Sequence, residues 1–114
     1  MKTPAHTNPR YVAARVRALL VANGWTIHTV TGRYSTFGAT YQSAPEGFAV
    51  HKVGCSKKVS IDYLGALVRG RSTDVPKEVR RARKEEAFVY LRSLGYRVDL
   101  KGYIECDSYD DHDR

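Results

Sequence analysis

Residues 74–95 read DVPKEVRRARKEEAFVYLRSLG, the longest uninterrupted helical signal in the chain, and its two halves differ in character. Lys77, Arg80, Arg81, Arg83 and Lys84 crowd the first half, whereas Ala87, Phe88, Val89, Leu91 and Leu94 fill the second. Gly95 stands where a helix commonly ends in a left-handed residue, so a helix over 76–94 is expected, with Asp74 near its N-cap and Glu78 in its first turn. The apolar half needs a partner to bury against, and the rest of the chain must supply it.

Upstream, Asn8-Pro9 opens another helix: asparagine accepts N–H bonds as N-cap, and proline is pre-organised at the first helical position. Val12, Val16, Leu19 and Leu20 form a single apolar stripe, with Arg10 and Arg17 away from its centre as solvated cations, and Gly24 closes the helix. From Trp25 the period changes to two, and alternation predicts strands near 25–31, 34–41, 47–53 and 57–63, with a turn at Thr31-Gly32. Short connections make these strands an antiparallel meander, since parallel neighbours need long crossovers. Residues 65–73 fit either a strand end or a helical turn, with Arg69 and Arg71 in an exposed loop around Gly70. After Gly95, Tyr96, Val98 and Leu100 alternate with Arg97 and Asp99 as a further strand, which either runs on or turns at Lys101-Gly102 into a hairpin with 103–106.

The expected fold is therefore α+β: two helices on one face of a mainly antiparallel sheet of about five strands, in the order α-β-β-β-β-α-β. Its 114 residues suit one domain, here 8–106, between a flexible N-terminus (1–7) and an acidic disordered tail (107–114). The segments LLVANGWTIHTVTGRY and YLRSLGYRVDLKGYIE share a grammar of helix end, glycine, aromatic and alternating strand, read either as a duplicated unit or as a generic helix exit. The element order is similar to that of the double-stranded-RNA-binding module. The extra strands and the absence of a KK-x-A-K run in the second helix depart from it, and no family is identified.

Composition narrows the function classes. The chain carries 19 Lys and Arg against 12 Asp and Glu, a net charge of +7, and residues 1–106 alone hold 18 basic against 8 acidic side chains. Such an excess favours polyanionic partners. No apolar run is long enough to span a bilayer, and the N-terminus lacks a secretory apolar core, so no membrane partner and a cytoplasmic location are expected. Two cysteines in such a chain read as free thiols.

Lys77, Arg80, Arg81 and Lys84 follow i, i+3, i+4, i+7 spacing and share a helix face, at the end where the helix dipole disfavours each cation by roughly 0.3–1 kcal/mol. Asp74, Glu78 and an Arg81–Glu85 pair are expected to offset part of that cost, and phosphate would satisfy the cations and the free N–H groups together. These four residues, with Arg69 and Arg71 as flanking contacts, are the expected nucleic-acid-binding residues, for DNA or RNA. Tyr34, Tyr41, Tyr63 and Tyr103 on strands offer stacking platforms for bases, and Lys57-Lys58 is a smaller basic spot. His51-x3-Cys55 and Cys106-x5-His112 match no standard zinc spacing, and Asp62 with Asp99-Leu100-Lys101 only faintly resembles a nuclease metal site, so no metal, cofactor or catalytic residue is expected. The rival reading is a protein-binding or inhibitory module, of the kind viruses and mobile elements encode, directed at an acidic protein surface. A homodimer closed by the acidic tail is the third partner class.

Overall fold

The computed structural model describes residues 4–34 and 40–109, with two helices and seven strands among them. Helix α1 runs Pro9–Ala22; the Asn8 side chain accepts from the Tyr11 N–H at 2.9 Å, the N-cap that the Asn-Pro pair implies. Helix α2 runs Lys77–Ser93. Strands β3 (Gly47–Lys52), β4 (Lys58–Leu64) and β7 (Tyr103–Glu105) form an antiparallel sheet in the order β3-β4-β7. The register sets Phe48 opposite Tyr63, Val50 opposite Ile61 and Val59 opposite Ile104, so these six apolar side chains share one sheet face.

Against that face lie Val12, Ala13, Val16 and Leu20 of α1 and Ala87, Phe88 and Leu91 of α2, and all belong to one buried cluster. Each fully buried Val, Leu or Phe side chain contributes roughly 1.5–3 kcal/mol, and each alanine less. That exceeds the cost of a cation at a helix N-terminus, so packing of the apolar half holds α2 in place despite its basic half. Trp25 knits the layers, meeting Phe48 and Tyr90 edge-on at centroid distances of 5.6 and 5.5 Å.

The α+β class stands as expected, but the single sheet of about five strands divides into three pieces. Beside the three-stranded sheet, β1 (Thr31–Tyr34) pairs with β2 (Thr40–Ser43), and β5 (Leu67–Val68) pairs with β6 (Arg71–Ser72). Ala44 and Leu67 exchange both backbone bonds, which joins the two ribbons. Thr31-Gly32 lies inside β1 rather than at a turn, opposite Ser43 and Gln42. The centre of the expected 34–41 strand, residues 35–39, falls outside the described residues. The expected 25–31 strand shrinks to one parallel bridge, Ile27 with Phe48, because the Thr29 N–H turns back onto the Ile27 carbonyl at 2.9 Å and the chain leaves the sheet edge. Farther along that edge, the Arg17 guanidinium donates to the Val50 carbonyl at 2.5 Å, so Arg17 is a strand-edge ligand and not a solvated cation.

The two echoing segments do end their helices alike. Trp25 N–H bonds to the Leu20 carbonyl and Gly24 N–H to that of Val21; Tyr96 and Gly95 repeat both bonds to Leu91 and Arg92. These are paired Schellman caps. Beyond them the resemblance stops: Ile27 joins β3 in parallel, whereas Val98 folds back antiparallel onto Ile104.

The ends of the described chain are docked together. Asp107 N–H bonds to the His6 carbonyl at 2.7 Å and Ser108 N–H to that of Thr7 at 2.9 Å, so residues expected in a loose terminus and a loose tail carry backbone pairing. His6 is buried, edge-on to Tyr96 at 5.4 Å. Its Nε2 accepts the Arg97 N–H, so Nδ1 carries the proton and donates to the Pro4 carbonyl at 3.0 Å. Burial, and secondarily the Arg97 charge, pushes the imidazole pKa below its ordinary 6.5. A histidine with a depressed folded pKa supports the fold above the unfolded pKa and withdraws that support as pH falls. The melting temperature is therefore expected to drop between pH 7.5 and 5, and His6→Gln to flatten that slope, in thermal scans across this range.

Candidate nucleic-acid interface

Helix α2 starts later than the sequence suggests. Its N-cap is Pro76, extended at φ −52° and ψ 139°, and no side chain caps the first turn. Asp74, expected near the cap, stands two residues upstream in the exposed segment between β6 and α2. Proline disfavours helical geometry in the residue before it, which keeps Val75 out of the helix, and the extended ψ of Pro76 makes Lys77 the first helical residue. The Arg80 N–H closes the first helical turn onto the Pro76 carbonyl at 3.0 Å, while Glu78 is the only acid in that turn.

Lys77, Arg80, Arg81 and Lys84 line one open groove of about 310 Å³, as their spacing predicts. Glu85, Phe88 and Leu100 complete its walls. Lys84 reaches the Asp62 carboxylate at 3.5 Å and stands 6.0 Å from the Phe88 ring centroid, which ties it to the body of the protein. Lys77, Arg80 and Arg81 are exposed and have no ion-pair partner among the described residues, and the expected Arg81–Glu85 pair is not formed. Arg83 is absent from the groove. It pairs with Glu86 at 3.6 Å and lines a separate cleft with Tyr63 and Glu46.

Arg69 and Arg71 do not line this groove either. They sit at the β5-β6 hairpin, where Arg69 (φ 49°) and Gly70 (φ 79°) are both left-handed, the geometry of a two-residue type I′ turn. Both arginines are exposed. An ambiguous strand end thus resolves into a hairpin that carries its cations outward.

The far wall of the groove is the expected turn at Lys101-Gly102, which folds Val98 back antiparallel onto Ile104, but the periodicity misplaces Leu100. Alternation puts Leu100 on the same face as the buried Tyr96 and Val98, yet Leu100 is 94 % exposed. The chain turns at Asp99: its carboxylate accepts the N–H groups of Lys101 and Tyr103, each at 2.9 Å, and the Gly102 N–H closes back on the Asp99 carbonyl at 3.2 Å. Gly102 is obligatory, since at φ +91° a Cβ would stand 2.6 Å from the Phe88 ring and 2.8 Å from the Ile61 carbonyl. An Asp followed three residues later by Gly is the local signal that competes with the strand pattern here.

The other chemistry-bearing residues have local structural uses. Tyr63 is buried and donates to Glu46 at 2.6 Å, so it offers no open ring face; burial and then that bond push its pKa up. Tyr103 is partly buried with Lys58 over its ring at 5.7 Å, and Lys57 lies over Tyr109 at 5.1 Å. Nothing is described for the Tyr34 and Tyr41 side chains. Cys106 is buried, and desolvation raises its thiol to about 11, whereas Cys55 is exposed and His112 falls outside the described residues. Among the described residues no group of three His, Cys, Asp or Glu side chains is placed to hold a metal. Asp62 engages Lys84, and Asp99 engages its own turn, with the Tyr103 N–H foremost in holding its carboxyl below the usual range.

Removing the Asp99 carboxylate is expected to cost roughly 1 kcal/mol, because two N–H groups lose their acceptor. Urea unfolding of Asp99→Ala at neutral pH measures this, and Asp99→Asn, which keeps one amide oxygen, should lose less. Comparison of the chain with protein-family models, with curated proteins and with solved structures returns no match.

Proposed function

We propose that the chain is a non-catalytic nucleic-acid-binding protein whose phosphate surface is the groove face of α2. The observation that carries this reading is the set Lys77, Arg80 and Arg81, exposed beside Lys84 and without acidic partners among the described residues. Cations at a helix N-terminus oppose the dipole, and here Glu78 is the one acid of the first turn, with no side-chain cap and no Arg81–Glu85 pair beside it. Phosphate oxygens relieve all of them at once. They accept from the guanidinium and ammonium groups and screen the repulsion among them.

Arg69 and Arg71 extend the basic surface as flanking contacts from the β5-β6 hairpin. Their placement outside the groove suits contacts to a second run of backbone. The net charge of +7 adds a long-range attraction that speeds association with any polyanion.

Fluorescence anisotropy with labelled duplex DNA, single-stranded DNA and single-stranded RNA tests the reading. Reversing Arg80 and Arg81 to Glu should weaken binding by at least roughly tenfold and lower the slope of log affinity against log salt by about two units, one for each lost phosphate contact. Unchanged affinity and slope in this variant would sink the proposal. Asp62→Asn, which frees Lys84, should strengthen binding by up to about threefold, the range set by one partly exposed ion pair.

A further inference from the structure

Leu100 is 94 % exposed, the most exposed of the large apolar side chains among the described residues, and the turn that carries it is held tightly. Asp99 caps two N–H groups of the turn, and Arg92 donates from Nε to the Val98 carbonyl at 3.0 Å and from the guanidinium to the Asp99 carbonyl at 3.1 Å. Gly102 is wedged against Phe88, and its carbonyl accepts the Ile61 N–H at 2.9 Å, so the turn is bolted to β4 and α2 together. Folding gains almost nothing from a leucine left in water at this position. The turn nevertheless holds it beside Arg80 and Arg81, on the rim of the same groove.

We propose that Leu100 is a wedge that enters between two base pairs of a DNA duplex while the α2 cations hold the adjoining phosphates. This rests on the reading of α2 as a phosphate surface and adds the class of substrate, a duplex that kinks at the contact. The pairing of one apolar side chain with a cationic rim is what such a site needs. Partial unstacking of a single step accepts one leucine-sized group, and the bend it produces brings more backbone to the basic face. An anionic bilayer has the same charge, but one exposed leucine adds too little apolar area for stable anchoring, which takes two membrane signals. Rigidity also favours the wedge, because an inserted group must keep its place while the bases part around it. Steps that are already weakly stacked give way at least cost, so a mismatch or a pyrimidine–purine TA step is the preferred site.

The test uses the full chain with two short labelled duplexes, identical except that one carries a central T·T mismatch. Fluorescence anisotropy reads affinity, and end-to-end energy transfer reads bending. The wild-type chain should bind the mismatched duplex roughly tenfold more tightly and shorten its end-to-end distance. Leu100→Ser should bring the two affinities together and abolish the shortening, while its far-ultraviolet dichroism and melting temperature stay those of the wild type, since the side chain is in water. Equal wild-type binding to both duplexes, or a preference and bend retained by Leu100→Ser, would overturn the wedge and leave the phosphate surface standing. Failure of the wild type to bind either duplex overturns the wedge, and the phosphate surface falls with it only when single-stranded DNA and RNA are left unbound as well. Leu100-dependent sedimentation with phosphatidylserine vesicles, without a duplex preference, would assign the tip to a membrane instead.

Discussion

Phe88 is the contact on which the arrangement depends. It is buried in the core cluster, it meets the backbone of the Gly102 turn so closely that no side chain fits there, and Lys84 and Arg92 stand over it at 6.0 and 5.8 Å. Through that ring the apolar half of α2 is anchored to β4, and the turn after Val98 is held at a set position beside the helix. The basic half of α2 follows as a rigid extension, its cations carried one to three turns beyond the anchor. A helix whose N-terminal half resists its own dipole stays folded because burial of Ala87, Phe88 and Leu91 outweighs that cost.

The same anchor explains the form of the groove. A helix face alone would present its cations to open solvent as a convex ridge. With the Asp99–Gly102 turn fixed alongside, the ridge gains an opposing wall, and Leu100 becomes part of a surface that already holds Arg80 and Arg81. Lys84 is shared between the wall and the floor, bonded to Asp62 and close to the Phe88 ring, so it tethers the helix as well as adding charge. Arg83, a neighbour in sequence, is carried to another cleft by the 100° step of the helix.

Several errors of the sequence reading share one physical origin. Alternation reports which side of a chain is apolar, and it is blind to whether a partner strand lies alongside. Residues 25–28 alternate correctly and still make only one bridge, since the Thr29 N–H bends the chain away from β3. Leu100 continues the alternation of Tyr96 and Val98, yet Asp99 offers its carboxylate to the turn and wins. His6 carries no local signal at all, because its burial depends on Tyr96 and Arg97, which are distant in sequence.

What the chain determines locally was legible without the fold: the Asn8-Pro9 start of α1, the glycine exits of both helices, the β3 and β4 strands and the shared face of Lys77, Arg80, Arg81 and Lys84. Each follows from contacts within about one helical turn or from a period of two or 3.6, which residue order encodes directly. The tertiary structure alone decided that the cations line a groove, that Asp62 holds Lys84 and that Leu100 stands out beside them. Those outcomes depend on α2 meeting β4 and the Gly102 turn, a juxtaposition set by the summed burial of a core drawn from the whole chain and by no single stretch of it.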